Sequence, residues 1–313
     1  MAFRLSRRDP PSAGARKLAD EELSAAIARL RGQDGSPDQR VHAARKSIKR
    51  VRALVRLLRK AMREARFRAD NVALGDAARG LSAARDAAVA IATFDQLVRE
   101  PDILLVAVRQ DLVARSGDAG ATPDEATLHG AAEALEQLRP RLIEDLGELD
   151  WDVLAAGLEA SYAGGRAAMR AAFAEPHDEA FHLWRKRAKD LWYQAQVLES
   201  CCTPQLRALA ELLAELGDLL GEDHDLAVLA AAAGASPALG ERLQARHGQL
   251  RGAAWQLGRK IYAERPRAFL RRMKIYWHVW RDTGDRPPGS TGAARSGCSN
   301  RPNNSTHKKR ILI

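Results

Sequence analysis

Set against itself at an offset of 140, the 313-residue chain repeats a block rich in cations. Val41-His-Ala-Ala-Arg-Lys-Ser-Ile-Lys-Arg-Val-Arg is matched by Phe181-His-Leu-Trp-Arg-Lys-Arg-Ala-Lys-Asp-Leu-Trp, so that His42, Arg45, Lys46 and Lys49 fall on His182, Arg185, Lys186 and Lys189. Further on, at an offset of 139, Leu81-Ser-Ala-Ala-Arg-Asp-Ala-Ala-Val falls on Leu220-Gly-Glu-Asp-His-Asp-Leu-Ala-Val. Two blocks in the same order at nearly one spacing divide the chain into related halves, 16–148 and 149–281. A flexible basic N-terminus (1–15) is expected before them. A disordered basic tail (282–313) is expected after them, since its Gly, Pro, Ser and Asn content buries too little apolar surface to offset ordering.

Within the halves, apolar residues recur every three or four positions and no convincing period-two run exists, which predicts an all-α fold. Helix breaks are expected at Gly32–Pro37, Arg99–Pro101, Ser116–Pro123, Arg139–Pro140, Glu175–Pro176, Cys202–Pro204, Gly234–Pro237 and Glu264–Pro266. Neighbouring Cys201 and Cys202, with Cys298 in the tail, make no disulfide framework and point to a reducing, cytoplasmic setting. The N-terminus lacks a signal-peptide core, and the longest nearly apolar run, Leu226–Ala235, is about half the length of a membrane span. No membrane partner is expected.

The helix starting near Asp38 carries the strongest signal. At roughly 100° per residue, His42, Arg45, Lys49, Arg52, Arg56, Lys60 and Arg63 share an arc of about 80°. Ala44, Ile48, Val51, Val55, Leu58 and Met62 form an apolar stripe beside it. Between Arg40 and Arg68 stand twelve Lys and Arg against one acid, Glu64, a larger excess than the whole chain's +10. Like charges one turn apart each cost about 0.2–0.5 kcal/mol. A cation row running about 30 Å, at 1.5 Å per residue, therefore suits a long polyanion, the bland alternative being a solvated basic face. In the second copy His182, Arg185, Lys186, Lys189 and Gln196 take the polar side, and Phe181, Trp184, Ala188, Leu191, Ala195 and Leu198 the apolar one. That row is shorter, since Trp192 and Asp190 stand where the first copy has Arg52 and Arg50. Protonation of the two histidines would tighten anion binding mildly below pH about 6.5.

Arg85-Asp86 and His224-Asp225 are read as pairs that position the helices of each half, with direct ligand contact as the alternative. Gly221-Glu-Asp-His-Asp225 looks like a metal cluster, but no second ligand group stands at helix spacing, and His177 and His182 are five apart rather than four. Neither metal nor cofactor is expected. The aromatics of the basic zone Arg259–Arg281 (Tyr262, Phe269, Tyr276, Trp277 and Trp280) are read as docking a C-terminal helix on the bundle.

These features resemble the CHAD family, the conserved histidine α-helical domain. The resemblance rests on His42-x-x-Arg45-x-x-x-Lys49-Arg50-x-Arg52 with its copy His182-x-x-Arg185-x-x-x-Lys189, and on Leu81-x-x-x-Arg85-Asp86 with Leu220-Gly221-x-x-x-Asp225. The run Tyr162-Ala-Gly-Gly165-Arg166-Ala-Ala168 also looks like the family, and together these motifs span about residues 16–281. The resemblance implies two pseudo-symmetric four-helix bundles in one compact helical domain with a basic central groove. It implies binding of inorganic polyphosphate without catalysis, and an association with polyphosphate granules.

On this reading His42, Arg45, Lys46, Lys49, Arg50, Arg52, Arg56, His182, Arg185, Lys186 and Lys189 hold polyphosphate. Arg85, Asp86, His224, Asp225 and Arg166 are structural or touch phosphate. Trp192, His224 and Ser82 depart from the family pattern, so the second half is expected to grip less strongly. The alternative is a non-specific nucleic-acid-binding helical protein, which the charge permits. An enzyme fits worse, because phosphoryl transfer needs carboxylates to hold magnesium and no glycine-rich phosphate loop is present.

Overall fold

A computed structural model describes residues 3–32, 35–81, 85–100, 103–119, 123–234 and 236–282, the side chains of 85–86 and 116–119 excepted. Among them are eleven α-helices: α1 (Pro11–Arg31), α2 (Pro37–Leu57), α3 (Glu64–Gly80), α4 (Arg85–Leu97), α5 (Ile103–Ala119), α6 (Glu125–Asp145), α7 (Trp151–Ala174), α8 (Asp178–Val197), α9 (Thr203–Ala233), α10 (Pro237–Ile261) and α11 (Pro266–Asp282). Two 3-10 turns, Arg59–Ala61 and Glu199–Cys201, follow α2 and α8. No strand occurs among the described residues, as the periodicity predicts.

The apolar stripes explain the packing. Ala44, Ile48, Val51, Val55, Leu58 and Met62 are all buried, and so are Phe181, Trp184, Ala188, Leu191, Ala195 and Leu198. Helix α1 packs on α2 and α6, with α3 against α2 and α6, while α7, α8, α9 and α10 pack in succession and α2 meets both α7 and α8. One large core joins these elements. A second core gathers Ala90, Phe94, Val98, Leu105 and Leu112 from α4, the residue that follows it and α5. Opposite these it takes Leu226, Leu229, Leu239, Leu243 and Leu250 from α9 and α10. The short α4 and α5 bury their apolar residues on helices from the other half of the chain. The C-terminal aromatics dock as expected: Phe269, Trp277 and Trp280 are buried, and Phe269 stacks on Tyr162 with ring centroids 4.1 Å apart.

Several sequence expectations meet a different outcome. The basic helix is shorter than its periodicity suggests, because α2 stops at Leu57 and a 3-10 turn precedes α3. Lys60 and Arg63 therefore leave the row, which spans about 21 Å from His42 to Arg56 at 1.5 Å per residue. Pro140 does not break α6. It lies on the exposed side, where water can satisfy the carbonyl one turn back, while Leu138 and Leu142 anchor the inner face. At the N-terminus Phe3 and Leu5 are buried, and the Leu5 amide donates to the Val197 carbonyl at 2.9 Å. Two apolar side chains suffice to strap that segment to the end of α8. The expected tail, 282–313, lies outside the described residues but for Asp282.

Candidate functional site

Helix α2 starts at a capping box, in which the Ser36 hydroxyl accepts from the Gln39 amide and the Gln39 side chain accepts from the Ser36 amide, with Pro37 in the first turn. On α8 the Nδ1 of His177 accepts from the Ala180 amide at 3.3 Å. With the apolar stripes fixed in the core, the cationic faces are fixed too. His42, Lys46 and Lys49 are exposed, and Arg45, Arg52 and Arg56 half-buried; on α8 Lys186 is exposed, while His182, Arg185 and Lys189 are half-buried.

The two helices meet near their C-terminal ends. Nη1 of Arg56 donates to both oxygens of Asp190, at 2.5 and 2.7 Å, and Nε2 of Gln194 donates to the Ala53 carbonyl at 3.3 Å. The cations around this junction repel one another. Burial, then Arg52 and Arg56, holds the Lys186 ammonium below the usual lysine range, so charges from both helices act on one region. Arg52 is lowered by burial, by Arg56 and by Arg79, with Asp190 opposing. Lys189 is lowered by burial and Arg185, with Asp218 opposing from 3.9 Å. Burial is the largest cause in each case, and neighbouring cations add to it at Lys186, Arg52 and Lys189.

Glycines make room for these side chains. A Cβ on Gly75 of α3 would stand 3.2 Å from Nη2 of Arg52. On α9, one at Gly217 would meet Cε of Lys189 at 2.8 Å, and one at Gly221 would meet Nη2 of Arg185 at 3.4 Å. Gly221 belongs to the repeated motif; Gly75 and Gly217 carry no sequence signal that separates them from other helical glycines.

His182 stacks on His224, centroids 4.1 Å apart and planes 29° off parallel. Burial, then His224, Lys186 and Arg185, pushes its imidazole down to about 4. In the unliganded protein His182 is thus neutral through the pH range where the sequence alone expects it to charge. A base held below its ordinary value adds stability that is complete above pH about 6.5 and is lost as pH falls toward 4. The melting temperature is therefore expected to drop between pH 6.5 and 4, and to drop less in His182→Gln. An equally steep fall in that variant would contradict the assignment.

Other expected site residues lie elsewhere. Arg50 turns to α1, where Nη1 meets Glu22 at 2.7 Å and the guanidinium covers the Phe3 ring. The reason is angular: Arg50 stands at least 80° outside the arc of the row at 100° per residue. Nε of Arg166 donates to the Tyr262 carbonyl at 3.3 Å. His224 and Asp225 are half-buried on α9, and the side chains of Arg85 and Asp86 lie outside the described residues. Sequence reasoning missed the buried carboxylate of Asp223, which takes His247 Nδ1 at 2.6 Å and Arg251 Nε at 2.7 Å and ties α9 to α10. Among the described residues no group of His, Cys, Asp and Glu could hold a metal ion, and no helix is long and apolar enough to cross a membrane. An open groove of about 410 Å³ runs along the N-terminal strap, lined by Phe3, Trp192 and Gln196 among others. It sets Arg4 and Arg207 against Glu199 and Glu211, so its charges balance.

Fold and site together define an all-helical protein whose two histidine-bearing basic helices meet around a buried ion pair. The chain belongs to the CHAD domain family, whose model matches residues 16–234. The match ends with α9, short of the reach to 281 that the motifs suggested, and α10 and α11 lie beyond it. Comparison with curated proteins and with solved structures gave no match.

Proposed function

We propose that the protein binds inorganic polyphosphate and captures it without a catalytic step. The halves 16–148 and 149–281 would form pseudo-symmetric bundles whose basic helices line a central groove. The observation that carries this reading is the meeting of the two repeat copies' basic helices, where Arg56 reaches Asp190 and Gln194 reaches the Ala53 carbonyl, so that Arg52 and Arg56 act on Lys186 across the junction. A chain of linked phosphates relieves the repulsion among these cations along its length. Arginine forks and lysine ammonium groups suit phosphate oxygens and read no base sequence. Membership of the CHAD family supports the same ligand class. A polyphosphate binder of this kind would work in the cytoplasm, at polyphosphate granules.

Competition tests the reading. Long-chain polyphosphate is expected to displace bound duplex DNA at a lower phosphate concentration than DNA needs to displace polyphosphate. The reverse order would favour non-specific nucleic-acid binding instead.

A further inference from the structure

Asp190 breaks the repeat. Its counterpart at the offset of 140 is Arg50, so an acid stands on α8 where α2 has a base. The carboxylate is 11% exposed, and both of its oxygens accept from Nη1 of Arg56, which belongs to the cation row of α2. Arg52 and Arg187 lie close enough to act on it electrostatically. Joining two helices does not call for a buried carboxylate, since replacing a buried ion pair by well-packed apolar residues of similar volume is often neutral or stabilising. A joining role alone leaves the choice of Asp unexplained. Its position supplies a reason: it sits against the α2 cation row, near Arg52 and Arg56, and it holds the guanidinium that a phosphate oxygen would otherwise take.

We propose that Asp190 is a built-in counter-anion, occupying Arg56 in the unliganded protein and holding down the affinity of the α2/α8 face for polyphosphate. The inference rests on the polyphosphate reading above. In the absence of ligand Asp190 relieves the repulsion between the rows, which lets the helices meet. When polyphosphate binds, its oxygens compete with the carboxylate for the same donors.

The test is titration of wild type, Asp190→Asn and Asp190→Leu with long-chain polyphosphate at several salt concentrations, with helical content followed by circular dichroism. Both substitutions erase the charge, and Leu does so without needing a hydrogen-bond partner, so one folded variant is enough. Binding about tenfold tighter than wild type at low salt is expected, the value of one charge-assisted phosphate contact. The salt dependence is expected to steepen by about one phosphate's worth. Adding Arg56→Gln to Asp190→Asn is expected to remove the gain, because the freed guanidinium is what carries it. If wild type binds polyphosphate and a folded variant binds no tighter, the counter-anion role is overturned and the functional reading survives. If wild type does not bind, the functional reading fails and the inference fails with it.

Discussion

Arg45→Ala, Lys49→Ala and Arg52→Ala in one chain are expected to weaken polyphosphate binding at least about a hundredfold while leaving the fold intact. Each charge-assisted contact is worth about 1.5–3 kcal/mol, so three together exceed that factor even when they are not fully additive. Stability should not follow. The side chains lie on the polar face of α2, and the buried stripe that organises the helix, Ala44 to Leu58, is untouched. Alanine has the highest helix propensity, and removing cations spaced by four and three residues relieves about 0.2–0.5 kcal/mol of repulsion per pair. Isothermal titration with long-chain polyphosphate and thermal melts on the same samples check both halves of the expectation. A parallel loss of affinity and of melting temperature would mean that these residues act through the fold. Replacing Arg185 and Lys189 instead is expected to cost less, because Lys189 already lies 4.6 Å over the Trp192 ring and near Asp218. Equal losses would refute the asymmetry between the two copies.

The sequence made the helical class, the apolar stripes and the paired basic helices legible because each follows from local periodicity. Residues that repeat every 3.6 positions announce which face is inner, and the structure buries every member of both stripes. What stayed illegible depends on contacts between distant segments. The periodic pattern of α2 runs on to Arg63, yet the helix ends at Leu57, where α7 presses on it. Helix angle sets Arg50 apart from the row that holds Arg56, but only the fold shows that one finds Glu22 on α1 and the other Asp190 on α8. Asp190 reads as a weakening of the second basic helix until the crossing of α2 and α8 shows what it holds. The repeat also hides a difference in continuity: α9 is a single helix of 31 residues where the first half has both α3 and α4.

Gly157→Ala should reverse the usual sign of that substitution. Inside a helix, replacing glycine by alanine normally stabilises by about 0.5–1 kcal/mol, through a smaller loss of chain entropy on folding. Gly157 is buried inside α7, six residues after its first, and a Cβ there would stand 2.2 Å from the Leu57 carbonyl oxygen and 2.7 Å from its C and Cα. All three are backbone atoms, so no rotamer change can clear them, and α7 must back away from the end of α2. Forcing extra volume into a packed core costs about 1–3 kcal/mol and occasionally more, which outweighs the entropic gain. At roughly 2–4 °C per kcal/mol for a protein of this size, the melting temperature should fall by several degrees. Gly252→Ala is the control, since Gly252 is also a helix-interior glycine but is exposed, with nothing within 4 Å of its Cβ position. That variant should melt no lower than wild type. Similar melts for the two would show that α7 and α2 do not touch through their backbones. The contact falls at Leu57, the last residue of α2 and one residue past Arg56, so it marks where the cation row stops.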